Sequence, residues 1–253
     1  MLANCEHVEL DLGQVLGTPG RRARYAYFPT SSYVSLVAAL DDHASLEVSL
    51  VGNEGMIGTC MLLGVSVAPL LAVVQGSGPA WRIDRTVFRH ELEYSRILRE
   101  TLNRYVYVLI RQLAQTAACT RYHLLEPRLA RWLLMTRDRA NSSEFHATHA
   151  FLAVMLGVRR AGVTRAASSL QQRKLIAYSR GNVSILDRRG LENVACGCYE
   201  ADKNSYAGVF GLPRASAAED EASEVVAYAR QRTAQASGRA QTRPCSPIGN
   251  HTS

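Results

Sequence analysis

The apolar positions of the chain recur with two different periods, and the period changes near residue 86. Up to about residue 85, short apolar or alternating runs are separated by turn-rich stretches such as 17–20 and 76–79. Many short runs at near-regular spacing predict an antiparallel sandwich or small barrel. The predicted strands are residues 8–12, 25–28, 34–39, 46–51, 71–75 and 80–83.

From residue 86 to about 119, apolar residues recur every three or four positions, without Pro or Gly. This spacing predicts one continuous helix with an apolar stripe formed by Leu98, Leu102, Tyr105, Leu109 and Leu113. A helix of about 20 to 30 residues is longer than one small domain needs. We therefore expect residues 89–120 to connect two domains and to pair with a second copy of the chain. The alternative is that the stripe packs only on its own β domain.

Residues 148–176 have the pattern of two short helices around a turn. Thr148 is suited to cap the first helix, and Gly157 permits a steep turn between the two. Val163, Ala167 and Leu170 fall on one apolar face of the second helix, and a helix opened by Pro127 is expected to pack beneath the pair. The pattern predicts a helix-turn-helix, although an ordinary two-helix corner has the same outline.

The opposite face of the second helix combines small residues with arginines. Ala161, Arg165 and Ser169 share this face, and Arg160 lies at its leading edge. Small residues between arginines suit a helix that enters a groove about as wide as itself, as the major groove of DNA is. We therefore expect this helix to contact the bases.

Positive charge is concentrated around the same segment. Between residues 148 and 189 only Asp187 is acidic, whereas the basic residues are Arg159, Arg160, Arg165, Arg173, Lys174, Arg180, Arg188 and Arg189. The whole chain has a net charge of +7 and a pI near 9.3. Such charge suits a polyanion but does not distinguish DNA from RNA or an anionic membrane.

Two β-prone runs follow the helix pair, at residues 175–179 and 183–186. Arg180, Gly181 and Asn182 separate them, and we expect Gly181 and Asn182 to adopt the positive φ angles of a hairpin turn. The runs predict the wing of a winged helix, which would touch the sugar-phosphate backbone. A surface loop is expected at 141–144, a short helix at 187–198, and a disordered tail at 211–253, where large apolar residues become rare.

The composition predicts a cytoplasmic protein. No run reaches the roughly 18 apolar residues that a bilayer span requires, and no secretory signal is visible. The six cysteines are scattered, which fits a reducing compartment.

Residues 152–160 (LAVMLGVRR), followed by Val163, Thr164 and Arg165, resemble the helix-turn-helix of the Crp/Fnr superfamily of bacterial transcription regulators. Residues 126–133 (EPRLARWL) are similar to the family's preceding helix, and residues 27–31 and 51–58 resemble the sensor domain of one subgroup. The resemblance covers residues 8–199. It implies an α+β fold: a cyclic-nucleotide-binding-like β-roll or jelly-roll sensor at 1–88, a dimerisation helix at 89–120 and a winged helix-turn-helix at 121–200.

The resemblance also implies roles for individual residues. Arg160, Ala161 and Arg165 occupy the family's base-reading positions, and Thr148 and His149 lie where the first helix meets phosphate. Further phosphate contacts are expected from Arg159, Ser169, Lys174 and Arg180. Ala161 replaces a frequent glutamate that accepts from cytosine, so we expect an altered or relaxed operator.

The sensor departs from members that bind cyclic nucleotides. Those members have a Gly-Glu pair and an Arg-Ser or Arg-Thr pair, whereas this chain has Gly58-Thr59 and Pro69-Leu70. A buried phosphate would lack its compensating charge at these positions. We therefore expect a degenerate effector pocket that does not bind cAMP.

Candidates for metal sites and catalytic chemistry are weak at this stage. Cys196 and Cys198 cannot complete a tetrahedral site alone, no second close pair exists along the sequence, and Cys5 alone cannot hold a cluster. The histidines lack ligand spacing, and no nucleophile–base pair is visible. We expect no metal, no cofactor and no enzymatic activity.

The sequence thus predicts a homodimeric regulator that binds double-stranded DNA, acts away from membranes, and contacts RNA polymerase if it is an activator. The alternative is a ligand-sensing module whose output is a protein contact.

Overall fold

Seven short strands lie within the described residues up to Asp84. The structure, a computed structural model, describes residues 1–40 and 44–211 of the 253. The strands of this β domain are β1 (Glu6–Leu10), β2 (Val15–Gly17), β3 (Tyr25–Pro29), β4 (Tyr33–Leu40), β5 (Ala44–Val51), β6 (Leu71–Gly76) and β7 (Gly78–Asp84). They form two antiparallel sheets, ordered β1-β7-β3 and β2-β6-β4-β5. The α+β fold with an antiparallel N-terminal domain is therefore confirmed.

Alternating side chains of the two sheets meet in the interior of the β domain. Leu10, Val34, Val74 and Ala80 are buried together, because period-2 alternation directs every second side chain inward. The sequence pattern does not predict β2. This strand has three residues and a register shift opposite β6, which is too short and irregular for alternation to be visible.

Two helices follow the β domain, where one was predicted. They are α1 (Arg85–Tyr94) and α2 (Arg96–Tyr122). Ser95 separates them in an extended conformation: its amide donates to Glu91 O, and its hydroxyl accepts from the amide of Leu98. The prediction of a continuous helix from residue 86 is therefore wrong. A serine at this point ends one helix and caps the next.

The apolar stripe of α2 faces its own β domain. Leu102, Tyr105 and Leu109 are buried, and Leu98 and Leu113 pack partly buried against the same clusters. These five residues therefore pack on their own β domain, as the alternative interpretation of the stripe expected. A second face of α2 is exposed and has apolar residues at spacings of three and four: Tyr107, Ile110, Ala114 and Ala117.

The remaining described residues form a winged helix. Its elements are α3 (Leu125–Ala140), β8 (Glu144–His146), α4 (His149–Leu156), α5 (Arg160–Gln172), β9 (Ile176–Ser179), β10 (Asn182–Ile185), α6 (Arg188–Val194) and α7 (Cys198–Phe210). The three strands pair in the order β8-β10-β9. Two predictions need correction: the expected surface loop ends in β8, and the helix predicted for 187–198 is two helices, of which α7 continues to Phe210. Apart from Gly211, the tail predicted to be disordered lies outside the described residues.

One hydrophobic core crosses the predicted boundary between the β domain and the winged helix. Val37 and Leu50 of the four-stranded sheet pack in the same cluster as Leu129 and Leu133 of α3 and Leu152 of α4. The predicted domains at residues 1–88 and 121–200 thus differ in topology, but their side chains pack in one continuous core.

Candidate nucleic-acid interface

The turn between α4 and α5 is built as the sequence predicts. The hydroxyl of Thr148 accepts from the amide of Phe151 at 3.1 Å and caps α4. Gly157 ends α4 with φ of 63°, and the amide of Val158 donates to Ala153 O at 2.9 Å. A left-handed glycine at this position closes the first helix and directs the chain steeply into the second.

The two faces of α5 are divided as predicted. Val163, Ala167 and Leu170 are buried against the core, whereas Arg160, Ala161 and Arg165 are exposed, and Ser169 is half-buried at the border. Two further residues on the exposed face, Thr164 and Ser168, were not among the predicted contacts. Their positions three or four residues from Arg160, Ala161 and Arg165 could have identified them, because such residues share one helix face.

His149 anchors α4 to its neighbours. Its ring stacks on Tyr178 of β9 at 4.2 Å between centroids, and its Nδ1 lies 3.1 Å from the hydroxyl of Thr164. That hydroxyl also donates to Arg160 O, so the Nδ1–H of His149 is the donor to it. Burial, with a smaller contribution from the Arg160 cation, lowers the pKa of His149. His149 is therefore a neutral packing residue at pH 7, and its predicted phosphate contact would lack charge.

The wing is a two-residue hairpin fixed to the start of α4. Arg180 and Gly181 have φ of 50° and 85°, so Arg180, with Gly181, supplies the positive angles that we assigned to Gly181 and Asn182. Asn182 belongs to β10, and its Oδ1 lies 2.9 Å from His146 Nδ1. The hydroxyl of Tyr178 donates to Ala147 O at 3.0 Å. These contacts hold the exposed Arg180 at the tip of the wing.

Ion pairs reduce the free positive charge of this domain. Arg173 pairs with Glu126 at 3.1 Å, and Arg188 pairs with Asp138 at 2.9 Å and with Glu192. The charge count along residues 148–189 omitted Glu126 and Asp138, which α3 brings across from outside that window. Within residues 148–189, six exposed cations have no ion pair with a carboxylate of the described ranges: Arg159, Arg160, Arg165, Lys174, Arg180 and Arg189.

The four predicted effector-pocket residues do lie together, around one cavity of the β domain. Gly58, Thr59, Pro69 and Leu70 line a cavity of about 190 Å³ that α2 closes with Val106, Leu109, Ile110 and Leu113. None of its lining residues is Lys, Arg, Asp or Glu. The cavity is therefore suited to an apolar group and lacks the charge that a phosphate requires.

Cys196 and Cys198 are not an isolated pair. The structure brings them to Cys119 and His123 at the end of α2, 73 or more residues earlier in the chain. Our metal prediction considered only pairs that are close in sequence, and the structure adds Cys119 and His123 to the candidate ligands. The sequence contains no signal that would bring the two pairs together, because they lie on elements far apart along the chain.

None of the described helices combines the length and apolar character that a membrane crossing requires.

The comparisons with known proteins agree with this geometry. Residues 127–194 match the family described as the Crp-like helix-turn-helix domain. No curated protein sequence matches the chain. Among solved structures, FixK2 from Bradyrhizobium japonicum is 15% identical with a TM-score of 0.65, over 76% of this chain and 98% of that one. TTHA1359, a Crp/Fnr family regulator from Thermus thermophilus, is 21% identical with a TM-score of 0.61, over 75% and 98% of the two chains.

The class of protein that the fold and this domain define is a DNA-binding transcription regulator. The resemblance to the Crp/Fnr superfamily is confirmed for the helix-turn-helix by the match over residues 127–194, and the fold is that of solved Crp/Fnr regulators.

Proposed function

We propose that the chain is a homodimeric regulator that binds specific double-stranded DNA sequences through α5 in the major groove. The observation that carries this proposal is the exposed face of α5, where Arg160 and Arg165 flank Ala161 on a helix whose opposite face is buried. Neither arginine has a carboxylate partner in the described part of the chain. An arginine fork can pair with guanine O6 and N7 at once. Arg160 and Arg165 are therefore assigned to the bases.

Phosphate contacts would come from the rim of this face. Arg159 precedes α5, Lys174 follows it, and Arg180 forms the tip of the wing. The N-terminus of α4, next to the Thr148 hydroxyl, offers unpaired amides of the kind that bind phosphate. Ser169 is half-buried and would serve as a neutral donor. His149 supports the site by positioning α4, α5 and β9.

The exposed seam of α2 supports a homodimer. Tyr107, Ile110, Ala114 and Ala117 alternate at three and four residues, which is the spacing of a two-stranded coiled coil. Two α5 helices related by a two-fold axis would enter successive major grooves about 34 Å apart. Operator half-sites should therefore be inverted repeats.

The effector and the direction of regulation are finer parts of the proposal. The uncharged cavity beside Gly58 and Pro69 favours a protein that does not respond to cyclic nucleotides. An activator of this kind would also contact RNA polymerase. The alternative function, a sensor whose winged helix docks on protein, is favoured by no observation of the described residues.

The first experiment is selection of bound duplexes from a random DNA pool by the purified full chain without added ligand. A two-fold symmetric motif is the expected result. DNA affinity should then be measured against salt concentration: three phosphate-directed cations per protomer, about six per dimer, predict a slope of about −5 in log K against log salt. Affinity that is independent of salt and of sequence would favour protein docking instead.

Matched variants test the assignment of single residues. Arg165→Ala should cost about 1–3 kcal/mol and relax one base position, whereas Lys174→Ala should weaken all sequences alike and reduce the salt slope by about 1. Arg173→Ala is the control, because Arg173 lies at the end of the same helix but is paired with Glu126. An unchanged base preference in Arg165→Ala would remove that residue from the reading face.

A further inference from the structure

Four potential metal-binding side chains converge where α2 meets the end of the winged helix. Cys119 and His123 are four residues apart at the end of α2 and therefore share one face of the helix. Cys196 lies between α6 and α7, and Cys198 is the first residue of α7. One ligand atom from each of the four lies within 4.8 Å of all the others.

Two separations within the cluster are close to those of a tetrahedral site. With Zn–S bonds of about 2.3 Å, the sulfur atoms of a tetrahedron lie about 3.8 Å apart. Cys119 Sγ and Cys196 Sγ are 3.6 Å apart, and Cys198 Sγ and His123 Nδ1 are 3.4 Å apart. The ligand set needs only small movements to close around an ion.

The geometry points to a Cys₃His centre that binds Zn²⁺ through Cys119, His123, Cys196 and Cys198. Four protein ligands leave no open position, so the centre is structural, and it goes beyond the proposed DNA-binding function without depending on it. The ion would join the last turn of α2 to the α6–α7 junction. The helix that carries the proposed dimer seam would thereby be fixed to the domain that carries α5.

Buried charge around the site fits an anionic metal centre. Zn²⁺ with three thiolates and a neutral imidazole has a net charge of −1. Arg131 is paired with Asp202 at 2.6 Å, whereas Arg128 is buried, donates to Leu156 O at 2.6 Å, and has no carboxylate partner in the described ranges. Arg128 and Arg131 line the same cavity as Cys119. Arg128 therefore provides the positive charge that balances the centre.

A hydrogen bond prepares one of the sulfur atoms for this role. Gln115 Nε2 donates to Cys198 Sγ at 2.9 Å, which favours the thiolate and fixes its orientation.

Metal entry and proton balance are both straightforward. His123 is exposed while the three cysteines are buried, so an ion reaches the site along the imidazole. Four metal–ligand bonds form, the three S–H bonds break, and three protons leave to solvent with no change in oxidation state. Two other states of these residues are possible: three packed thiols without metal, and a Cys119–Cys196 disulfide.

The test begins with the full chain purified under reducing conditions and dialysed against Zn²⁺. Elemental analysis should find about one tightly held Zn²⁺ per chain, as a closed four-ligand site requires. Replacing Zn²⁺ by Co²⁺ should give the visible bands of tetrahedral cobalt and a thiolate-to-cobalt charge-transfer band. This spectrum uses the unchanged protein, so it does not depend on the folding of any variant.

Variants assign the ligands. Loss of an outer-shell partner commonly costs 10- to 100-fold in metal affinity, so His123→Ala and Cys198→Ser should each cost more than about 100-fold. Cys5→Ser and His90→Ala, which change a thiol and an imidazole outside the cluster, should retain full occupancy. Absence of stoichiometric Zn²⁺ and of tetrahedral cobalt bands would overturn the proposal. Equal occupancy in the ligand and control variants would overturn it as well, and so would a Cys119–Cys196 disulfide that persists in the protein purified under reducing conditions.

Discussion

The carboxyl group of Glu47 should make the stability of the fold depend on pH. Glu47 lies on β5, is fully buried, and accepts hydrogen bonds from the Ser35 hydroxyl and from Trp132 Nε1 of α3, the latter at 2.8 Å. Burial raises its pKa from 4.5 to about 7, although both hydrogen bonds and the cations of Arg131 and Arg139 oppose the shift. Glu47 is thus a titratable group at the contact between the β domain and the winged helix.

The sign and the size of the effect follow from this shift. Below pH 4.5 the carboxyl is protonated in both states, and between 4.5 and about 7 only the unfolded state is ionised, so rising pH favours unfolding. Above about pH 7 the carboxyl is ionised in both states, and the loss of folding stability is complete. Each pKa unit corresponds to about 1.4 kcal/mol, so the shift destabilises the folded state by about 3 kcal/mol at high pH.

Urea unfolding of the full chain and of Glu47→Gln at several values between pH 5 and pH 8.5 measures this effect. Glutamine keeps an acceptor for Trp132 and cannot ionise, so the variant should gain about 3 kcal/mol relative to the parent protein as the pH rises. Glu9→Gln, at an exposed position of β1, is the control for loss of one carboxylate. A difference between Glu47→Gln and the parent that does not change with pH would refute the reasoning.

Three further substitutions test other features. Gly181→Ala should destabilise the fold by more than about 1 kcal/mol, because a Cβ at φ of 85° would lie 2.7 Å from the His146 ring. Thermal unfolding measures this loss, and an unchanged midpoint would contradict the geometry. Thr148→Ala should cost about 0.5–2 kcal/mol through loss of the α4 cap, measured by urea unfolding, and no loss would show that the cap is dispensable. Ala117→Glu should convert the dimer to monomers in sedimentation velocity, because it places like charges across the seam. Thr86→Glu on α1 is the control and should remain dimeric. A dimer in both variants would exclude this seam.

Local signals made the helix-turn-helix predictable from sequence. Thr148 and Gly157 mark the start and end of α4, and the apolar spacing of Val163 and Leu170 orients α5. Each signal acts within a few residues, because capping and helical periodicity are short-range effects. The short strands β2 and β8 lack such signals, since three residues do not establish an alternation.

Long-range contacts were beyond the sequence. Ser95 interrupts the helix because a cap there lets Phe88 of α1 and Leu102 of α2 share one cluster, and only packing decides between a cap and an interior serine. Glu126 neutralises Arg173 across 47 positions of sequence separation, and Cys119 meets Cys196 across 77. The spacing of residues along the chain does not predict contacts between residues so far apart in sequence.

The continuous core has a consequence for how this protein can diversify. Gly157, at the turn that positions α5, faces Leu46 of β5 so closely that an added Cβ would lie 3.1 Å from its side chain. Exchange of the winged helix for that of another regulator would leave the apolar side chains of β4 and β5 against a surface that does not match them. New operators should therefore arise by point changes on the exposed face of α5, while its inner face and the sheet beneath it change together.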